Sequence, residues 1–198
     1  SANGANDVFS IDMDGDGDMD VLSASSNDDK IAWYENDGNQ SFTTHIITTS
    51  ANGANAVFSI DMDGDGDMDV LSASSLEDEI DWYKLMPCGI IPFNENIVAK
   101  SVDGPFSVYS VDLDGDGDVD VVSASSYDDK ITWYENDGNQ SFTTHVITTS
   151  ANGAQSVYAV DMDGDGDMDV LSASFNDDKI SWYENDGNQS FTTHVITT

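Results

Sequence analysis

The string Asp-x-Asp-Gly-Asp-Gly-Asp-x-Asp occurs four times, at Asp12–Asp20, Asp61–Asp69, Asp112–Asp120 and Asp161–Asp169. In each copy aspartate stands at positions 1, 3, 5, 7 and 9, and glycine at positions 4 and 6. Carboxylates are hard oxygen ligands. A loop that delivers several of them suits a hard divalent cation, and Ca²⁺, which takes about six to eight oxygens, accepts an irregular cage more readily than Mg²⁺. Alternate aspartates on a tightly curled loop aim at a common centre, and glycine at position 6 accepts the positive φ that the curl demands. Left without a cation, carboxylates only ~4–5 Å apart repel one another. An EF-hand would need a bidentate Glu at position 12 and flanking helices, whereas position 12 of the first copy is Ser23 and the flanks read as strands. No His or Cys lies in any loop, which speaks against a redox or catalytic metal.

What positions these loops is an internal repeat. The chain divides into units 1–49, 50–100, 101–149 and 150–198, with nothing left over as a linker, and is expected to form a single repeat domain over 1–198. Each unit alternates short β-branched and aromatic runs with Asp/Asn/Gly clusters. In the first unit the runs are Val8–Ile11, Asp20–Ser25, Lys30–Tyr34 and Phe42–Thr48. This is strand–turn–strand grammar, without a 3.6-residue apolar period. It predicts an all-β chain of four-stranded antiparallel β-propeller blades, either a closed four-bladed ring or part of a larger propeller or array. Ser23, Ala24, Ser25 and their equivalents suit close packing between blades, and Trp33, Trp82, Trp133 and Trp182 are expected in the core between blades rather than as a sugar platform.

The loop, the following Val-(Leu/Val)-Ser-Ala-Ser, the Trp-Tyr-Glu-Asn-Asp-Gly turn and the Phe-led fourth strand resemble the FG-GAP/VCBS repeats, which build calcium-binding propellers such as those of integrin α-chains. The resemblance implies that side chains at positions 1, 3, 5 and 9 and the backbone carbonyl at position 7 hold Ca²⁺, one ion per repeat and four per chain. The implied residues are Asp12, Asp14, Asp16, Asp18 and Asp20 in the first repeat, and Asp61, Asp63, Asp65, Asp67 and Asp69 in the second. The third supplies Asp112, Asp114, Asp116, Asp118 and Asp120, and the fourth Asp161, Asp163, Asp165, Asp167 and Asp169. Family propellers usually have seven blades, and here there are four repeats.

Composition narrows the function. The 198 residues hold 39 Asp+Glu against 5 Lys+Arg, a formal charge of −34, and all five bases are Lys. Such a surface repels nucleic acid, and the arginine fork that clamps phosphate and carboxylate substrates is missing. A hydrophobic content of 38% is enough to bury a core, so the charge does not mean disorder. The one Cys, Cys88, forms no disulfide within the chain, and no apolar run is long enough for a membrane-spanning helix, so no membrane insertion is expected. The chain begins at Ser1 rather than Met, and its end joined to its beginning reproduces the internal repeat junctions, as in a closed ring or one period of a longer array.

Outside the loops, Asn39, Asn139 and Asn188 open N-glycosylation sequons at one repeat position. In the second repeat this turn is two residues longer and apolar. It makes Leu85, Met86, Cys88, Ile90 and Ile91 a candidate contact loop, or a flap folded over its own blade edge. His45, His145 and His194 are three copies of one strand residue rather than a catalytic set, and no position combines nucleophile, base and oxyanion donor. The chain is therefore expected to be a non-catalytic extracellular or cell-surface module that binds calcium and recognises a glycan or an extracellular protein. The alternative is a self-associating building block of a fibre or tandem array.

Overall fold

In the computed structural model, which describes residues 1–86 and 93–197, every regular element is a strand. The first sheet runs β1 (Ala5–Ile11), β2 (Asp20–Ser25), β3 (Lys30–Asn36) and β4 (Phe42–Thr48), and the second β5 (Ala54–Ile60), β6 (Asp69–Ser74), β7 (Glu79–Leu85) and β8 (Phe93–Lys100). The third runs β9 (Pro105–Val111), β10 (Asp120–Ser125), β11 (Lys130–Asn136) and β12 (Phe142–Thr148), and the fourth β13 (Ala154–Val160), β14 (Asp169–Ser174), β15 (Lys179–Asn185) and β16 (Phe191–Thr197). Each sheet is an antiparallel meander whose strands pair in chain order. These are the four-stranded blades the repeat predicts. The first strand starts earlier than the apolar run implies, at Ala5, because Ala5 still pairs with Ser25 across a bulge.

Contacts divide the chain into two compact units, Ser1–Ser101 and Val102–Thr198, with two blades in each. In the first unit, Leu22, Ala24, Ile31 and Trp33 of one blade pack on Val57, Val70 and Tyr83 of the next, closed by Met13, Ala51 and Ala54. In the second, Val122, Ala124, Ile131 and Trp133 pack on Val157, Val170 and Tyr183. The second strands are the most completely buried, and in the first three blades their small Ser-Ala-Ser ends are almost fully covered, as close sheet-on-sheet approach requires. Trp33, Trp82 and Trp133 are buried, and Trp182 is half-buried.

Polar links reinforce the packing inside each unit. Asp29 takes a left-handed φ of 52° at the β2–β3 turn. Its carbonyl accepts from Ala51 N at 3.0 Å and its carboxylate from Gly53 N at 3.1 Å, tying one blade's turn to the lead-in of the next. Asp129 does the same for Ala151 and Gly153. Aspartate tolerates this backbone region better than most residues.

Candidate functional site

Antiparallel order puts the β1–β2 loop and the β3–β4 turn at the same end of each blade, so every acidic loop lies beside the end of its own third strand. The loop curls around its first aspartate. Asp12 Oδ1 accepts from Gly15 N at 2.8 Å and Oδ2 from Gly17 N at 3.0 Å, with matching bonds at Asp112 and Asp161. Gly15 and Gly17 have φ of 75° and 95°, so both glycines of the motif are used for the curl. Asp14 Oδ1 then accepts from Asp16 N and Asp16 Oδ1 from Asp18 N.

The ninth residue has a different role. Asp120 is fully buried; its Oδ2 accepts from Leu113 N at 3.0 Å and its Oδ1 from Asn136 N at 2.8 Å. It pins the loop entrance to the end of β11. Asp20, Asp69 and Asp169 make the equivalent bonds. Burial pushes the Asp120 carboxyl up to about 6, against the downward pull of the two backbone bonds, and Asp69 likewise to about 6. Burial also raises Asp14, Asp114 and Asp163, with the neighbouring aspartate at position 5 adding to it.

Each loop gathers carboxylates tightly enough to hold a metal ion. One oxygen each from Asp112, Asp114 and Asp120 lies within 4.8 Å of the others, and so it is for Asp61, Asp63 and Asp69 and for Asp161, Asp163 and Asp169. In the first repeat the set is Asp12, Asp14 and Asp16. Oxygens at the usual ~2.3–2.6 Å from one Ca²⁺ are separated by up to about 5 Å, so this spacing fits a shared ion. Not all the expected residues join. Asp65, Asp116 and Asp165 at position 5 and Asp20 at position 9 lie outside these sets. So do the position 7 side chains, and those of Asp18, Asp118 and Asp167 lie against Gly38, Gly138 and Gly187 instead.

The second repeat departs from the others in charge. Glu35, Glu135 and Glu184 are replaced by Lys84, whose ammonium enters the loop and pairs with Asp63 and, at 2.9 Å, with Asp65. Lys84 holds the Asp65 carboxyl below the usual carboxylate range, and the two acids push the lysine up. The loop's hydrogen bonds change with it: Asp61 Oδ1 accepts from Asp65 N, and Asp63 Oδ1 is buried with no hydrogen-bond partner. The sequence signal was a charge reversal just before the altered turn.

The remaining candidates have visible partners. His45, His145 and His194 lie over Trp33, Trp133 and Trp182 with ring centroids 4.5–4.6 Å apart and bond Glu35, Glu135 and Glu184. Asn39, Asn139 and Asn188 sit on exposed turns, each amide donating to the carbonyl two residues back. Leu85 ends β7 and packs against the first unit's core, whereas Met86 is exposed; Cys88, Ile90 and Ile91 lie outside the described residues.

A model of the FG-GAP-like repeat family matches residues 12–72, 112–172 and 161–198. No curated protein matches the chain. Among solved structures, BBS1N in complex with ARL6DN is similar at a TM-score of 0.65 and 13% identity, over 100% of this chain and 57% of that one. The V. cholerae biofilm matrix protein Bap1 follows at 0.60 and 18%, over 93% of this chain and 27% of that one. A Bacteroides uniformis protein provisionally assigned as a 6-phosphogluconolactonase gives 0.62 and 14%, over 88% and 53%. At these identities the likeness shows the fold alone.

Proposed function

The chain belongs to the FG-GAP-like repeat family, and from that premise we propose that it is a non-catalytic, extracellular, calcium-stabilised module that binds a glycan or an extracellular protein. The observation that carries the calcium reading is the convergence of three carboxylates in every loop, on a chain with a formal charge of −34. Ca²⁺ bound there neutralises carboxylates that otherwise repel, so binding to the native state adds to folding free energy. The loops of repeats 1, 3 and 4 take the ion, and Lys84 serves as the counter-ion of the second. An extracellular setting is supported by the acidity of the chain.

Partner binding is assigned to the opposite ends of the blades. The repeats are close copies, yet they differ at the turns between the second and third strands of each blade, where Leu76 (β6–β7), Tyr127 (β10–β11) and Phe175 (β14–β15) are 74%, 61% and 76% exposed. Large apolar side chains held in water on turns are poor choices for stability and good ones for recognition. This divergence favours a binding module over a uniform fibre unit.

Chelation tests the metal half. EDTA is expected to lower the melting temperature and added Ca²⁺ to restore it; an unchanged melting curve, with no calcium by elemental analysis, would falsify the reading. A glycan and matrix-protein array probed with the wild type and a Leu76→Asn, Tyr127→Asn, Phe175→Ser variant tests the binding half. Equal retention of the two proteins overturns the assignment of the turns.

A further inference from the structure

A second group of acids lies at the other end of the second blade, away from its loop. There Glu77, Glu79 and Asp81 each bring a carboxylate oxygen within 4.8 Å of the other two. The corresponding places in the other repeats hold a neutral pairing instead. Lys30 bonds Asp28 at 2.6 Å, Lys130 bonds Asp128 at 2.6 Å and Lys179 bonds Asp177 at 2.8 Å. The second repeat replaces that lysine with Glu79 and puts Asp81 where the others have Ala32, Thr132 and Ser181. One ammonium faces the three acids, Lys100, which bonds Glu79 at 2.9 Å and is 61% exposed along its side chain. Two negative charges remain uncompensated, and Glu95 on β8 adds a further exposed acid nearby.

A second observation separates this cluster from an ordinary acidic turn. Asp81 is only 2% exposed, and its Oδ1 has no hydrogen-bond partner. Its strand register sets it directly across from Ser72, with Tyr83 two residues along on the same face. In the other three repeats the equivalent serine and tyrosine hydroxyls bond each other, at 3.3 Å for Ser23 and Tyr34, 3.3 Å for Ser123 and Tyr134 and 3.1 Å for Ser172 and Tyr183. In the second repeat Ser72 and Tyr83 keep this contact, both hydroxyls buried, with the Asp81 carboxylate beside them on the same face. One buried carboxylate oxygen thus lacks a partner, beside two further carboxylates. Glu77 is held in place by Asn52, whose backbone N–H and side-chain amide each donate to it at 3.2 Å. Buried oxygens do not stay unsatisfied at small cost, and a buried carboxylate calls for a counter-charge.

We propose that Glu77, Glu79 and Asp81 form a further divalent-cation site, distinct from the loops and belonging to the second repeat alone. An all-oxygen donor set selects a hard ion of the calcium or magnesium class. A charge of two matches the local excess. Burial, with Glu79, Glu95 and Glu77 adding to it, pushes the Asp81 carboxyl up to about 7.

The test counts ions. Glu79→Lys with Asp81→Thr gives the second repeat the lysine and a small side chain found elsewhere in the chain, and Asp81→Asn is the isosteric single variant that serves if the first fails to fold. Equilibrium dialysis against Ca²⁺ followed by elemental analysis is expected to find one ion fewer per chain in each variant than in the wild type. Equal, non-zero counts overturn this site and leave the loops standing; no calcium in any of the proteins overturns both. Crystals grown with Mn²⁺ are expected to show an anomalous peak among the three carboxylates. A water-sized peak with no anomalous signal there means that a protonated Asp81 and a water fill the space, and the site is wrong.

Discussion

Reversing one charge tests the role given to the second loop. Lys84 has a side chain 20% exposed and pairs with Asp63, 12% exposed, and with Asp65, 32% exposed. This lies between an exposed pair, worth up to about 1 kcal/mol, and a buried one, whose breaking costs about 3–5 kcal/mol. Replacing Lys84 with Met in the presence of chelator is therefore expected to cost about 2 kcal/mol. Lys84→Glu supplies the residue found in the other repeats, and fresh repulsion brings the cost to about 3 kcal/mol. The unit concerned is Ser1–Ser101, and for a domain of that size 1 kcal/mol moves the melting temperature by roughly 4–8 °C. A fall of about 15 °C is expected for Lys84→Glu in EDTA. Calcium should reverse it, because a site filled at 100 times its dissociation constant contributes about 2.7 kcal/mol. Calorimetry in EDTA and in Ca²⁺, with dialysis counts, reads all of this, and the variant should bind one ion more than the wild type. An unchanged melting temperature in EDTA together with an unchanged count would show that Lys84 does not neutralise the loop.

Other expectations concern the loop frame, the core and the turns. In chelator, Asp120→Ala leaves the Leu113 and Asn136 N–H groups buried without acceptors and should cost about 2 kcal/mol or more. Asp116→Ala, which loses one exposed bond to Asp118 N, should cost less than about 1 kcal/mol, and urea unfolding separates the two. Ile131 is fully buried, so Ile131→Ala should cost about 2–5 kcal/mol by the same assay. Expressed through a eukaryotic secretory route, the protein should gain glycan mass at Asn39, Asn139 and Asn188, with each increment removed by an Asn→Gln change in mass spectrometry.

Strands were legible because their signal is local. The Trp-Tyr run and the Ser-Ala-Ser run alternate between faces, and the structure puts Trp33 and Ala24 in one core. The loops were legible because their spacing repeats. The dual use of the ninth aspartate was not, since its partners Leu113 and Asn136 lie 7 and 16 residues away and only the register of β10 against β11 brings them together. Lys84 was visible as a charge reversal, but only the neighbourhood of the β7 end and the second loop shows where the ammonium goes. Asp81 read as one more polar residue in a strand; its burial follows from the face it shares with Val70 and Tyr83, which the neighbouring blade covers.

The buried aspartate at position 9 also bears on how such sequences descend. Its two backbone bonds hold the loop to the blade whether or not an ion is present, so selection for a folded blade alone would keep that letter of the motif. Gly15 and Gly17, both at positive φ, are retained on the same ground. A copy that hands its ion over to a lysine can therefore go on spelling the full motif through many rounds of duplication. Within one lineage the string is a record of shared ancestry and shared folding, and the number of times it is written is an upper bound on the loops that still hold an ion.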